Sequence, residues 1–272
     1  MIRFQAIYGL CNRLRGIVGA IELGRLTSRD VDIFWVADRD LPARFDQLFE
    51  KITLPNVKGV NDKLPLIFHL WGFKNRFINK FLKWFGFQKV FSEFQIHWYI
   101  DKYDSIEQLA QKHQIFNFKS YKNVCYKTGN DFGIFRPVSH LTEQIEKITS
   151  KFNEFTYGFH IRRTDHSQAI TYSPDELFIK EIEMIIRTNI QAVFYVASDD
   201  LAIKNKLVEM FGKRIITDLR DIRRASLQDM ERAVIELYAL SKTKCIYGSY
   251  WSSFSETAAS IGGIPLVTLV EK

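Results

Sequence analysis

Cysteine is scarce in this chain. Its three residues, Cys11, Cys125 and Cys245, are scattered, odd in number and form no C-x-x-C pair, which argues against a disulfide framework or a zinc site and points to a reducing, cytosolic compartment. No apolar run approaches the ~20 residues of a membrane-spanning helix; the best attempt, Leu64–Phe73, is interrupted by His69. Met1-Ile2-Arg3 leads straight into mixed sequence without the apolar core of a secretory leader, so none is expected. Acidic residues are missing altogether between Asp62 and Glu93, a stretch that carries six Lys/Arg and nine aromatic side chains.

What is present is ordinary in bulk and uneven in distribution. The 272 residues are 46% hydrophobic and 25% charged, the profile of a globular protein with one large or two modest domains. The net charge of +7 belongs to the first half: 21 Lys+Arg stand against 13 Asp+Glu through Arg136, and 17 against 18 afterwards. Two units with different partners are expected, 1–136 and 137–272. On a helical wheel, Lys74–Phe87 places Phe77, Ile78, Phe81, Leu82, Trp84 and Phe85 on one arc, with Arg76, Lys80 and Lys83 opposite. Such a helix suits either peripheral contact with an anionic membrane, on the inner face of the cell membrane for a cytoplasmic protein, or packing on its own domain. No nucleic-acid reader motif is present, so no nucleic-acid partner is expected.

Along the chain, Arg3–Tyr8 reads as a strand, followed by the turn Gly9-Leu10-Cys11-Asn12-Arg13-Leu14 and a helix to about Thr27. Val31–Ala37 reads as a buried strand and Leu41–Lys51 as a short helix entered through Pro42. Between them Asp38-Arg39-Asp40 is either a divalent-metal D-x-D or a set of loop and cap residues. Short apolar runs at Ile96–Ile100, Ile115–Phe118 and Asn123–Tyr126 flank a helix over Ser105–His113, and Ser139–Phe152 reads as an amphipathic helix. The remainder alternates regularly. Strands Thr156–Ile161, Ala192–Ala197, Arg214–Thr217, Lys244–Tyr247 and Pro265–Leu269 are separated by helices Pro174–Asn189 (Ser173 as N-cap), Asp200–Phe211, Leu227–Ser241 and Ser253–Ile261. That alternation predicts an α/β fold with a parallel sheet covered by helices.

Polar residues collect where these strands stop. His160, Arg162, Arg163 and Asp165 follow the first, Ser198-Asp199-Asp200 the second, and Gly248-Ser249-Tyr250-Trp251-Ser252-Ser253-Phe254-Ser255 the fourth. Guanidiniums suit bidentate binding of phosphate, and a hydroxyl-rich loop opening a helix can cradle one. The same residues taken singly also suit solvated ion pairs and N-caps.

Three segments in this order resemble the motif regions of the GDP-fucose-dependent fucosyltransferases, which comprise α1,2, α1,6 and nodulation-type, and protein O-fucosyltransferase groups. They are Gly9-Leu10-Cys11-Asn12-Arg13-Leu14, His160-Ile161-Arg162-Arg163-Thr164-Asp165 and Gly248 to Ser255. The resemblance implies a GT-B-like fold of two Rossmann-like domains with parallel sheets facing a cleft. It also implies a GDP-sugar donor on the C-terminal domain, and inverting transfer of fucose to a glycan hydroxyl without a metal or other cofactor. By position it implies that Arg162 neutralises the β-phosphate and His160 contacts the nucleotide, with Arg163 beside them. Glu236 would hold the guanine edge, and Ser252, Ser253 and Phe254 the phosphates; Asn12 and Gly9 would reach the sugar-phosphate. Cys11 stands where many members have Gly, and Ile170 replaces an acidic residue of the α1,6 group, which leaves Asp165 and His166 as the nearest candidates for the base.

A glycan or glycolipid acceptor would then meet the basic, aromatic first half. Two other readings stay open: a metal-dependent glycosyltransferase using Asp38 and Asp40, and a GDP- or glycan-binding protein without turnover.

Overall fold

The structure is a computed structural model that describes residues 1–70, 89–103, 105–125, 131–164, 167–220 and 225–271. The chain divides into two compact units, Met1–Arg136 and Pro137–Lys272. Each is built on a five-stranded sheet in which every recorded strand pair is parallel. The fold is thus α/β, as the alternation predicts. The amphipathic stretch 74–87 lies outside the described residues. Among the described residues no helix is long and apolar enough to cross a membrane.

In the N-terminal unit the strands are β1 (Ile2–Ala6), β2 (Val31–Phe34), β3 (Val57–Asn61), β4 (Val90–Phe91) and β5 (Phe116–Ser120), in the order β3-β2-β1-β5-β4. Phe4 and Phe118 are paired across neighbouring strands and fully buried. Several sequence expectations change here. The turn after β1 is shorter than expected, because Leu10–Leu26 is helical from its first residue with Gly9 as N-cap. The Ile96–Ile100 run belongs to a helix, Glu93–Tyr103, and the expected helix over Ser105–His113 shrinks to Glu107–Gln111. The helix expected over Leu41–Lys51 contracts to Phe45–Leu48. Its place is taken by irregular backbone around Trp35, whose indole N–H donates to the Ala43 carbonyl at 2.9 Å and whose ring meets Phe45 and Phe49.

In the C-terminal unit the strands are β6 (Thr156–Ile161), β7 (Val193–Ser198), β8 (Ile215–Ile216), β9 (Ile246–Ser249) and β10 (Leu266–Leu269), ordered β10-β9-β6-β7-β8. Phe178, Ile182 and Ile185 recur at helical spacing on Asp175–Thr188 and pack on Phe159, Ile161, Phe194 and Val196, which alternate along β6 and β7. Ile203 and Leu207 close this layer from Leu201–Phe211, which is capped by the Asp200 carboxylate accepting from the Ala202 N–H. Leu227–Leu240 starts in a capping box formed by Ser226 and Asp229, two reciprocal bonds that fix where the helix begins. Gly248 is required by packing, since a Cβ there would sit 2.6 Å from Ser255 Oγ; its absence lets β9 close on the helix that follows, Ser253–Gly262. One cap moves: Pro174, not Ser173, is the N-cap of Asp175–Thr188. The Ser173 hydroxyl instead bonds the Leu269 carbonyl and accepts from the Tyr250 N–H.

Strand order reverses at β6, with β7 and β8 on one side and β9 and β10 on the other. Chain connections diverge at such a switch point, so the carboxyl ends of β6 and β9 flank a crevice suited to a ligand.

Candidate active site

Four of the residues expected to carry chemistry, His160, Arg162, Ser252 and Phe254, meet at that switch point. The Arg162 N–H donates to Ser249 Oγ at 2.9 Å, which ties the end of β6 to the end of β9. His160, the last but one residue of β6, is 5% exposed. Its Nδ1 lies 3.2 Å from Ser252 Oγ and its ring stacks on Phe254 at 4.7 Å. Burial pushes the imidazole well below its ordinary pKa, helped by Arg162, Lys204 and Arg163 and opposed by Asp199, so the ring is neutral near pH 7. Ser252 is the N-cap of Ser253–Gly262 but makes no side-chain cap bond. With its hydroxyl turned to His160, the first-turn N–H groups of Ser253 and Phe254 keep the anion-binding geometry of a helix N-terminus.

The two arginines have separate surroundings. Arg162 makes an ion pair with Asp199 at 2.8 Å. Arg163 turns inward: its Nε and Nη2 donate to Asp175 at 2.9 and 2.6 Å, Nη1 to the Arg162 carbonyl and Nη2 to the Ser173 carbonyl, while the guanidinium lies 5.6 Å from the Phe178 ring centre. Arg163 braces the backbone that presents Arg162. Asp199 organises the whole turn, accepting also from the Arg163 N–H at 2.8 Å and from Thr164 Oγ1 at 2.9 Å. Sequence alone marks Asp199 only as part of a polar strand end, because Thr164, Arg163 and Arg162 all lie far from it along the chain, on the turn after β6.

Glu236 is buried on Leu227–Leu240, where Lys204 Nζ donates to its Oε1 at 2.9 Å. Lys204 was invisible as a site residue, since an isolated lysine on a helix reads as solvated. Glu236 lines a cavity of about 300 Å³ together with Tyr195, Thr217, Asp218, Arg220 and Arg232. Burial works to raise the Asp218 carboxyl, but hydrogen bonds from Arg220 and the charges of Arg232 and Arg220 outweigh it and hold the group at about 2. Asp165 and His166 lie outside the described residues.

In the N-terminal unit, Gly9 caps Leu10–Leu26 and a Cβ there would meet nothing within 4 Å. Asn12 accepts from Arg15 Nη2 at 2.8 Å in the first turn. Arg13 is fully buried, donating to the carbonyls of Tyr8 and Val36 and to Asp38, each at 2.6 Å. Asp38 Oδ1 meanwhile accepts from the N–H groups of Asp40 and Leu41. Both oxygens of the first acid of the D-x-D are thus engaged in holding a turn and a buried guanidinium.

By sequence the chain matches no family model and no curated protein. By structure it is similar to solved fucosyltransferases over nearly its whole length. NodZ alpha-1,6-fucosyltransferase soaked with GDP-fucose superposes with a TM-score of 0.64 at 15% identity, covering 98% of this chain and 94% of the other. The fold is that of these fucosyltransferases. FUT1 of Arabidopsis thaliana in complex with GDP gives 0.61 at 15% identity over 98% of this chain and 69% of its own. POFUT1 in complex with GDP gives 0.57 at 12% identity over 98% of both. At such identities the likeness extends to backbone architecture, and the site rests on the side chains described above.

Proposed function

We propose that the chain is a glycosyltransferase that moves fucose from GDP-fucose to a glycan or glycolipid hydroxyl, inverting and metal-independent, with the donor held by the C-terminal unit and the acceptor by the N-terminal one. The observation that carries this reading is the convergence of Arg162, His160, Ser252 and Phe254 on the switch point of a sheet whose fold neighbours were solved with GDP or GDP-fucose. In the reaction the acceptor oxygen bonds to the anomeric carbon as the bond from that carbon to the β-phosphate oxygen breaks, and the electron pair departs on GDP. The developing diphosphate charge meets the Arg162 guanidinium and the first-turn N–H groups at Ser253 and Phe254, fixed donors of the kind that replace a metal ion. His160 stays neutral and pins Ser252. Arg163 and Asp199 set the Arg162 backbone, and Glu236 takes the base edge. Asp165, with His166 beside it, is the proposed acceptor of the hydroxyl proton.

The engagement of Asp38 by Arg13 speaks against the metal-dependent alternative, because a cation there would have to displace a buried guanidinium. A thermal-shift panel tests the donor. GDP at about 100 times its Kd should stabilise the protein by about 2.7 kcal/mol, with UDP and CMP inert and EDTA without effect on transfer. A preference for UDP sinks the reading, and GDP binding with no transfer to any glycan favours the binding protein without turnover.

A further inference from the structure

Lys204 is 1% exposed, the most deeply buried cation of the C-terminal unit among the described residues. Its Nζ donates to Glu236 Oε1 at 2.9 Å and to the Asp218 carbonyl at 3.1 Å. Glu236 is 7% exposed and forms part of the cavity wall, and its Oε2 accepts no hydrogen bond among the described residues. A buried ion pair is a poor way to gain stability, since a well-packed apolar pair of similar volume is often as stable or more so. Its presence at the wall of a cavity calls for another reason.

Lys147 and Lys151 line the same cavity from the end of the helix Ser139–Thr149 and just beyond it, and Arg232 adds a smaller pull on the Glu236 carboxylate that Asp218 opposes, but Lys204 acts most strongly. Asp218 and Arg220, from the segment after β8, bind each other, and Arg232, on the helix of Glu236 itself, donates to Asp218 at 3.1 Å. Tyr195 on β7 is held protonated by burial. Lys204 is the one cation hydrogen-bonded to Glu236 among the described residues. Burial raises the Glu236 carboxyl above the usual carboxylate range, while Lys204 pulls the other way.

We propose that Lys204 is a positioning residue that sets base specificity: it keeps Glu236 ionised and oriented as a pure acceptor for two adjacent N–H donors on the edge of a base in the cavity. The proposal rests on the GDP-sugar reading. An ionised carboxylate offers about four lone-pair sites, of which Lys204 occupies one. Guanine presents N1–H and N2–H side by side. Adenine and cytosine set an acceptor beside their amine, and uracil flanks one N–H with two carbonyls. A site of buried polar groups rejects a ligand that leaves them unpaired far more strongly than an apolar pocket can. Protonation of Glu236 would turn an O–H donor toward guanine's N–H groups and destroy the match.

The test is GDP affinity by calorimetry from about pH 5.5 to about pH 8.5, with melting temperatures, on the full chain and on Lys204→Met, Lys204→Gln and the double variant Lys204→Met/Glu236→Gln. Wild type should follow only the second ionisation of the GDP β-phosphate, at about pH 6. Each single variant should lose affinity about tenfold per pH unit below the raised pKa of Glu236 and recover toward wild type at high pH. The double variant, with no carboxyl left at position 236, should run parallel to wild type at weaker affinity, and should lose the preference for GDP over IDP, which lacks the N2 amine. Lys204→Gln keeps a donor without the charge, so it decides the matter should Lys204→Met fail to fold. Single-variant profiles that run parallel to wild type, or a slope beyond that of wild type that persists in the double variant, overturn the proposal. A wild-type chain that binds no GDP at any pH overturns the donor reading instead.

Discussion

In each unit an arginine follows the central strand of the parallel sheet, Arg13 in the first turn of Leu10–Leu26 and Arg162 directly after β6, and the fold treats the two differently. After β1, Arg13 is sealed: 0% exposed, with donors on two carbonyls and Asp38 and its guanidinium 5.1 Å from the Trp35 ring centre. After β6, the Arg162 side chain keeps 16% of its surface while paired with Asp199, and its backbone N–H donates to Ser249 Oγ. The adjacent Arg163 repeats the lesson within one dipeptide. An arginine after a central strand becomes a candidate for ligand chemistry when it keeps surface at a switch point, and becomes framework when carbonyls and a carboxylate seal it. Burial and partners decide this, and residue type does not.

The largest effect that would sharpen the contrast is on stability. Arg13→Met leaves Asp38 and two carbonyls without their donor, so urea unfolding should show a loss of about 3–5 kcal/mol. A loss under about 1 kcal/mol, the range of exposed pairs, would erase the distinction. Arg162→Ala should do the reverse. Transfer should fall by about 10²–10³-fold in kcat, the scale for removing one preorganised donor, with a melting temperature close to wild type. If Arg162→Ala unfolds the protein as Arg13→Met does, the two arginines are both framework.

How much of this could be read beforehand follows the same divide. The C-terminal unit was legible because its strands are short, apolar and evenly spaced, although the caps at Asp200 and Ser226 went unread and the one expected, Ser173, is not made. The N-terminal unit resisted. β3 is largely half-exposed and β4 is two residues long, so neither gives a clean period-2 pattern. The apolar Ile96–Ile100 run is part of a helix that buries Ile96, which a window that short cannot tell from a strand. At the site, the motif residues were visible as polar strand ends, but their pairings were not. Asp199 with Arg162, Asp175 with Arg163 and Lys204 with Glu236 all join residues that only the sheet order brings together.

A smaller effect separates the units by pH. His160 is neutral in the folded state and ionises near pH 6.5 when unfolded. Its depressed folded pKa therefore gives a contribution that is complete above about pH 6.5 and is lost as pH falls toward the folded value. The loss should reach at most about 1.4 kcal/mol per pH unit. His160→Asn keeps a polar partner for Ser252 and removes the titration, so the difference between its unfolding free energy and that of wild type should change between about pH 5 and about pH 6.5. His97 and His113, both lowered by burial in the N-terminal unit, add the same slope to both proteins and cancel. A difference that stays constant with pH would mean that His160 titrates in the fold as it does in the unfolded chain.

The smallest effect concerns strain, which the two units hold in matching places. Tyr8 follows β1 with φ 65° and Trp251 follows β9 with φ 53°, a left-handed backbone that costs a non-glycine residue about 1–2 kcal/mol. Tyr8 is tied there by Arg13 donating to its carbonyl and by its own hydroxyl donating to Glu93 at 3.0 Å. The Trp251 side chain is large and 66% exposed, so little of its bulk is repaid in the core. Asparagine tolerates this conformation. Trp251→Asn should therefore raise stability by up to about 1 kcal/mol, while Tyr8→Asn, which forfeits the Glu93 bond, should gain nothing. If the Trp251 strain is retained for the proposed site, the stabilised variant should also show a lower kcat/KM. An unchanged kcat/KM would make Trp251 an unrelieved cost of the turn and leave the phosphate-binding loop to Ser252, Ser253 and Phe254.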